Sequence, residues 1–276
     1  MVTGLKLCLR LACAVGIVLV TRLNSLGDTL FFTNSSFITI NDSNNPPTIA
    51  TPWPSVINVS NLNGRVVSNL TVTLNGLSHT FPSDISILLV GPAGQAAVLM
   101  STVGGDQDFP VTDLTISLND LDPDPLPILD ALFSGGFHPT ARQSPLPFAF
   151  PSPAPVGNSN APARLSVFNN TDPNGPWSLF VVDDVPGDDG SISGGWTLQV
   201  DTGIPLAVRQ AGTNIVFSWP VVTNQTFNLQ TSLNLSNPNG WSNVVGTPAQ
   251  VGGQNILTNG NSNQLNKIKY YRLIGP

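Results

Sequence analysis

The sequence predicts an all-β protein, on three observations: helix formers are scarce, short alternating apolar runs recur, and turn dipeptides separate those runs. The 276 residues contain no Glu, Lys occurs only at Lys6, Lys267 and Lys269, and Gly and Pro number 25 each. Such a composition removes the long charged residues that favour helices and supplies the ones that punctuate strands.

Strict alternation marks Leu70-Thr71-Val72-Thr73-Leu74, Leu114-Thr115-Ile116-Ser117-Leu118 and Trp196-Thr197-Leu198-Gln199-Val200. Each places apolar side chains on one face and hydroxyls or amides on the other, the signature of a half-buried strand. The denser runs Ile85 to Val90 and Trp177 to Val182 predict central strands covered on both faces. Turn signals intervene at Asn63-Gly64, Asn75-Gly76, Gly91-Pro92-Ala93-Gly94, Asn174-Gly175 and Asp189-Gly190. Short strands at this spacing fit a sandwich, a barrel or a jelly roll. The stretch from Leu121 to Ala163 carries Pro145, Pro147, Pro151, Pro153 and Pro155, and it reads as a long surface excursion. The texture changes near Asp201-Thr202-Gly203. Beyond it, runs such as Ile215 to Trp219, Thr226 to Thr231 and Lys267 to Leu273 predict a second, smaller β-domain.

The first residues have the layout of an export signal: Lys6 and Arg10, the apolar run Leu11 to Val20, then Ser25-Leu26-Gly27. Ten apolar residues are too few for a bilayer, which takes about 20. The expected organisation is therefore a signal peptide at 1–27, a β-module at 28–202 and a small β-domain at 203–276, secreted to the extracellular side with no membrane span after cleavage. Cleavage after Gly27 removes Cys8 and Cys13, so neither a disulfide framework nor a Cys-ligated zinc site is expected. It also takes Lys+Arg from 10 to 7 against 16 acidic residues, a formal charge of −9, which argues against a nucleic-acid partner.

Two blocks carry a family resemblance. His79-Thr80-Phe81-Pro82-Ser83-Asp84, the strand Ile85 to Val90 and Gly91-Pro92-Ala93-Gly94 form the first. Asn174-Gly175-Pro176-Trp177-Ser178-Leu179 through Asp183-Asp184, then Gly187-Asp188-Asp189-Gly190-Ser191-Ile192 and Trp196-Thr197-Leu198, form the second. Together they resemble the P domain (P/Homo B domain) of kexin- and furin-type proprotein convertases, in the stand-alone form of secreted bacterial proteins. Weaker matches at Phe32-Thr33-Asn34, Pro52-Trp53-Pro54-Ser55 and Ser134 to Thr140 extend the likeness over about 28–202. The resemblance implies a jelly-roll β-sandwich that stabilises a neighbouring subtilisin-like domain and supplies no catalytic residue. No stretch of this chain has the alternating β and α texture of a subtilisin domain. The tail, with Phe217-Ser218-Trp219-Pro220, Phe227 to Ser232, Trp241 and Tyr270-Tyr271-Arg272-Leu273, resembles a short C-terminal β-module of secreted bacterial proteins, with an Ig- or fibronectin-like sandwich as the expected fold.

His79 and Asp84 with a serine would compose a hydrolytic triad, but the resemblance makes them fold residues, a His beside a turn whose Asp caps the backbone. His138 has no second His near it for zinc. Asp183, Asp184, Asp188 and Asp189 put four carboxylates within seven residues, and they fit either a calcium site or a solvated turn with Asx caps. Asp120, Asp122 and Asp124 read as a solvated loop. Trp219 and Trp241 suit either a sugar platform or a core. The expected function is a non-catalytic secreted module, with calcium as its possible cofactor, that binds or stabilises an extracellular protein or cell-surface component. The alternative is an accessory or regulatory module of a separately encoded subtilisin-like serine endopeptidase.

Overall fold

The computed structural model describes residues 8–12, 17–21, 27–212, 214–260 and 269–275. It is an all-β protein. Cys8–Ala12 and Ile17–Thr21 pair antiparallel, whereas Lys6, Cys13, Arg22, Ser25, Leu26 and Lys267 lie outside the described residues. The chain divides into two compact units, one of residues 29–62 and 67–201, the other of 1–28, 63–66 and 202–276.

The larger unit is a sandwich of two sheets. In the first, a seven-stranded sheet, Gly135–Phe137, Val111–Leu118, Val66–His79, Gly190–Ile192 and Ile38–Ile40 lie side by side in that order, and Trp196–Gly203 bridges Val66–His79 to Thr29–Asn34. In the second, six-stranded, the order is Thr140–Ala141, Ala96–Ser101, Ile85–Val90, Gly175–Asp183 and Thr48–Ile49, with Ser55–Val59 also on Gly175–Asp183. The period-2 pattern sends Leu70, Val72 and Leu74 of one sheet and Ile87, Leu89, Leu179 and Val181 of the other into a common core. Trp177 and Trp196 are wholly buried there. Each indole N–H has an acceptor, Pro173 O at 2.9 Å for Trp177 and Ser55 Oγ at 3.0 Å for Trp196, so neither large ring leaves a buried donor unpaired.

Ile85–Val90 is buried at every position, and the Pro-rich stretch is the reason. Leu88, Val90, Phe180 and Val182 point away from the sandwich interior and pack with Leu146 and Phe150 of that stretch and with Trp53. Leu126, Leu132 and Phe137 enter the main core. The segment expected as a surface excursion is therefore a cover for the six-stranded sheet. Its prolines suit that task, because they lack the N–H groups that a buried, unpaired backbone would leave unsatisfied. Asn158 meets much of the remaining need, accepting from Phe150 N at 2.8 Å and donating to Phe150 O and Pro155 O.

Asn75-Gly76, expected as a turn, lies inside the Val66–His79 strand. Leu77 pairs with Leu114 and Asn75 with Thr115, so Gly76 is the extra residue of a bulge, at φ +76°. Glycine takes that left-handed conformation without a Cβ penalty.

The smaller unit has a four-stranded sheet, Ala207–Ala211, Asn214–Pro220, Gln254–Gly260 and Ala249–Val251, and a three-stranded one, Ser242–Asn243, Asn228–Ser232 and Tyr270–Ile274. Phe217, Trp219, Leu229, Leu257, Tyr271 and Leu273 form its core, with the Phe217 and Tyr271 rings 4.5 Å apart. Arg65 binds Asp28 at 2.7 Å and donates to Thr202 Oγ1 and Gln225 Oε1 within this unit.

Candidate functional site

Strand register gathers residues remote in sequence at one end of the larger sandwich. Asp183 pairs with Ile85 and Gly190 with His79, so the acidic hairpin 184–189 lies beside His79 and the short 3₁₀ turn Pro82–Asp84. Gly190 is required: a Cβ there would overlap Ser78 O and His79 Cδ2.

His79 is 2% exposed and Asp183 is 1% exposed. His79 Nδ1 accepts from Phe81 N–H at 3.1 Å, which leaves the ring proton on Nε2, 3.1 Å from Asp183 Oδ2. The other Asp183 oxygen accepts from Val185 N–H at 3.0 Å, closing an Asx turn. The carboxylate that caps the backbone here is thus Asp183, while Asp84 accepts from the Ser83 hydroxyl at 3.5 Å and passes its backbone carbonyl to Asp184 N–H at 2.8 Å.

Electrostatics single out Asp84, which the sequence offered as a triad member or as a cap of the turn. Asp84 is 6% exposed. Its carboxyl is pushed up to about 7, first by burial and then by the charges of Asp183, Asp184 and Asp188, with His79 pulling the other way. Asp184 is raised to about 6 by burial, opposed by its hydrogen bond from Ser86 at 2.9 Å and aided by Asp183. Both carboxyls are thus shifted well above the ordinary Asp range.

Of the four carboxylates considered for calcium, two have side-chain partners within the fold. Asp183 is committed to His79 and Val185, Asp184 to Ser86, and Asp189 meets Thr80 through its backbone, its carbonyl accepting from Thr80 N–H at 3.2 Å. Asp188, half-buried, acts on Asp84 through its charge. Among the described residues no group of three or more His, Cys, Asp or Glu is placed to hold a metal ion.

The second acidic stretch is divided between structural tasks. Asp120 accepts from Leu165 N–H and Ser166 N–H, both at 2.7 Å, at the start of the 3₁₀ turn Leu165–Phe168. Asp122 and Asp124 offer their backbone carbonyls to His138, at Nδ1 and at its N–H, and burial raises the Asp122 carboxyl. Trp219 is 1% exposed and fills the core, and Arg272 lies 4.3 Å over the Trp241 ring. Among the described residues no helix is long and apolar enough to cross a membrane.

No family model matches the chain, and no curated protein matches it either.

Proposed function

We propose that the protein is a non-catalytic, exported β-sandwich module, similar to the P domain of kexin-type convertases, that binds or stabilises a partner at the extracellular surface. The commitment of His79 carries this reading. Its two nitrogens are engaged by Phe81 N–H and Asp183, and a general base needs a nitrogen free to take a proton from a nucleophile. The chain's other histidine, His138, faces the Asp122 carbonyl. A jelly-roll description of the larger unit and an Ig- or fibronectin-like one of the smaller belong to the same reading. In this reading the acidic hairpin serves as an Asx-capped turn, with Asp183 accepting from Val185 N–H, rather than as a calcium site.

The test is turnover of broad peptide and ester substrate panels by the purified protein and by His79→Ala. No turnover is expected from either. Activity that survives purification and vanishes in His79→Ala would overturn the reading. Stable co-purification with a subtilisin-like catalytic chain would instead make the module that enzyme's accessory subunit.

A further inference from the structure

The two sheets of the larger unit have contrasting outward faces. The outward face of the six-stranded sheet is apolar and sits under the Pro-rich cover. That of the seven-stranded sheet is half-exposed to exposed along four adjacent strands, Thr29–Asn34, Trp196–Gly203, Val66–His79 and Val111–Leu118. Their inward residues, such as Leu70, Val72, Ile116 and Leu198, are in the core, so the alternate positions present Thr, Ser, Asn and Gln side chains outward.

These side chains are already ordered by one another across the strands. Thr33 and Thr197 hydroxyls lie 3.1 Å apart, and those of Thr73 and Ser117 2.9 Å apart. Asn119 Nδ2 donates to Thr71 Oγ1 at 2.7 Å, and Asn69 Nδ2 donates to Asp201 Oδ2 at 3.0 Å. Each pair fixes rotamers while leaving hydroxyl lone pairs, and the second N–H of each amide, open to an incoming group. A ligand therefore meets donors and acceptors whose ordering cost has been met in the fold. At the edge of this array stands Phe31, 67% exposed, opposite Gln199.

From this we infer that the outward face of the seven-stranded sheet is a binding surface for a neutral polysaccharide. Charge decides between ligand classes. The four strands contain no Lys, Arg or Glu, and Asp113 and Asp201 are their only carboxylates. A phosphate backbone or anionic lipid needs cations to meet it. A protein interface needs a desolvated apolar centre, and Phe31 is the face's single large apolar side chain at its margin. A polyol needs paired donors and acceptors in a plane, with an apolar ring for the C–H side of a sugar, and the face has both. At about 4.8 Å between strands and about 3.4 Å per residue, the array is long enough for several sugar rings.

The inference names a ligand for the binding role proposed above and rests on that role, but the two fail separately: substrate turnover tests the one, polysaccharide retention the other. The acidic full-length protein is run on native gels cast with a soluble β-glucan, xylan or galactomannan, and with polygalacturonate as the anionic control. Retardation by at least one neutral polymer and none by polygalacturonate is expected. Thr73→Val with Ser117→Ala removes both hydroxyls without adding bulk, and should weaken retention about tenfold at an unchanged melting temperature. Phe31→Ala, at an exposed edge, should weaken it as well. No retardation by any neutral polymer, or retention unchanged in both variants, overturns the inference.

Discussion

At the scale of single residues, Asp84 and Asp184 make stability depend on pH in an uncommon direction. Most structural carboxylates are held below their ordinary range, whereas these two sit at about 7 and about 6. The unfolded chain releases their protons near pH 4 while the native state retains them, so between about pH 4 and 7 unfolding releases protons and stability falls as pH rises. The loss is complete once pH exceeds the folded values. Asp84→Asn removes the group that Asp183, Asp184 and Asp188 repel. It should flatten the decline and raise the melting temperature at pH 8 by a few degrees, on a scale of about 2–4 °C per kcal/mol. Thermal melts of both proteins from pH 4.5 to 8 check this, and a variant less stable than the parent at pH 8 would contradict it.

At the scale of elements, the acidic hairpin divides neighbouring carboxylates between different partners. Asp183 ends a strand, and successive side chains there leave on opposite faces, so Asp183 turns to His79 and Asp184 to Ser86. Melting in millimolar calcium and in chelator should therefore agree within about a degree; a rise of several degrees, the scale expected when an ion binds only the native state, would mean that the hairpin re-forms around the ion. The strands themselves were legible, because alternation at Leu70 to Leu74 or Trp196 to Val200 has no helical counterpart. The partnership of His79 with Asp183 was not, since 104 residues separate them and only register unites them. Asn75-Gly76 misleads for a different reason: a glycine at positive φ serves a turn and a bulge equally well. Prolines likewise mark unpaired backbone without saying whether Leu146 and Phe150 beside them cover a sheet or face water.

At the scale of the whole molecule, the two units have separate hydrophobic cores, one around Leu74, Trp177 and Trp196 and the other around Phe217, Trp219 and Tyr271. Burial is the main stabilising term in each, so each unit should melt by its own transition. Two substitutions separate them. Leu74→Ala removes a fully buried side chain from the larger core and should cost about 2–5 kcal/mol, lowering that unit's transition by roughly 4–20 °C. Phe217→Ala removes a fully buried ring from the smaller core at about 3–5 kcal/mol, and in so small a domain this is roughly 12 °C or more, a large share of its stability. Calorimetry of the parent and both variants reads the outcome: two transitions, each displaced by its own substitution and left in place by the other. A single transition lowered by both would show that the units unfold as one body, and the division at Asp201 would then describe packing without independent stability.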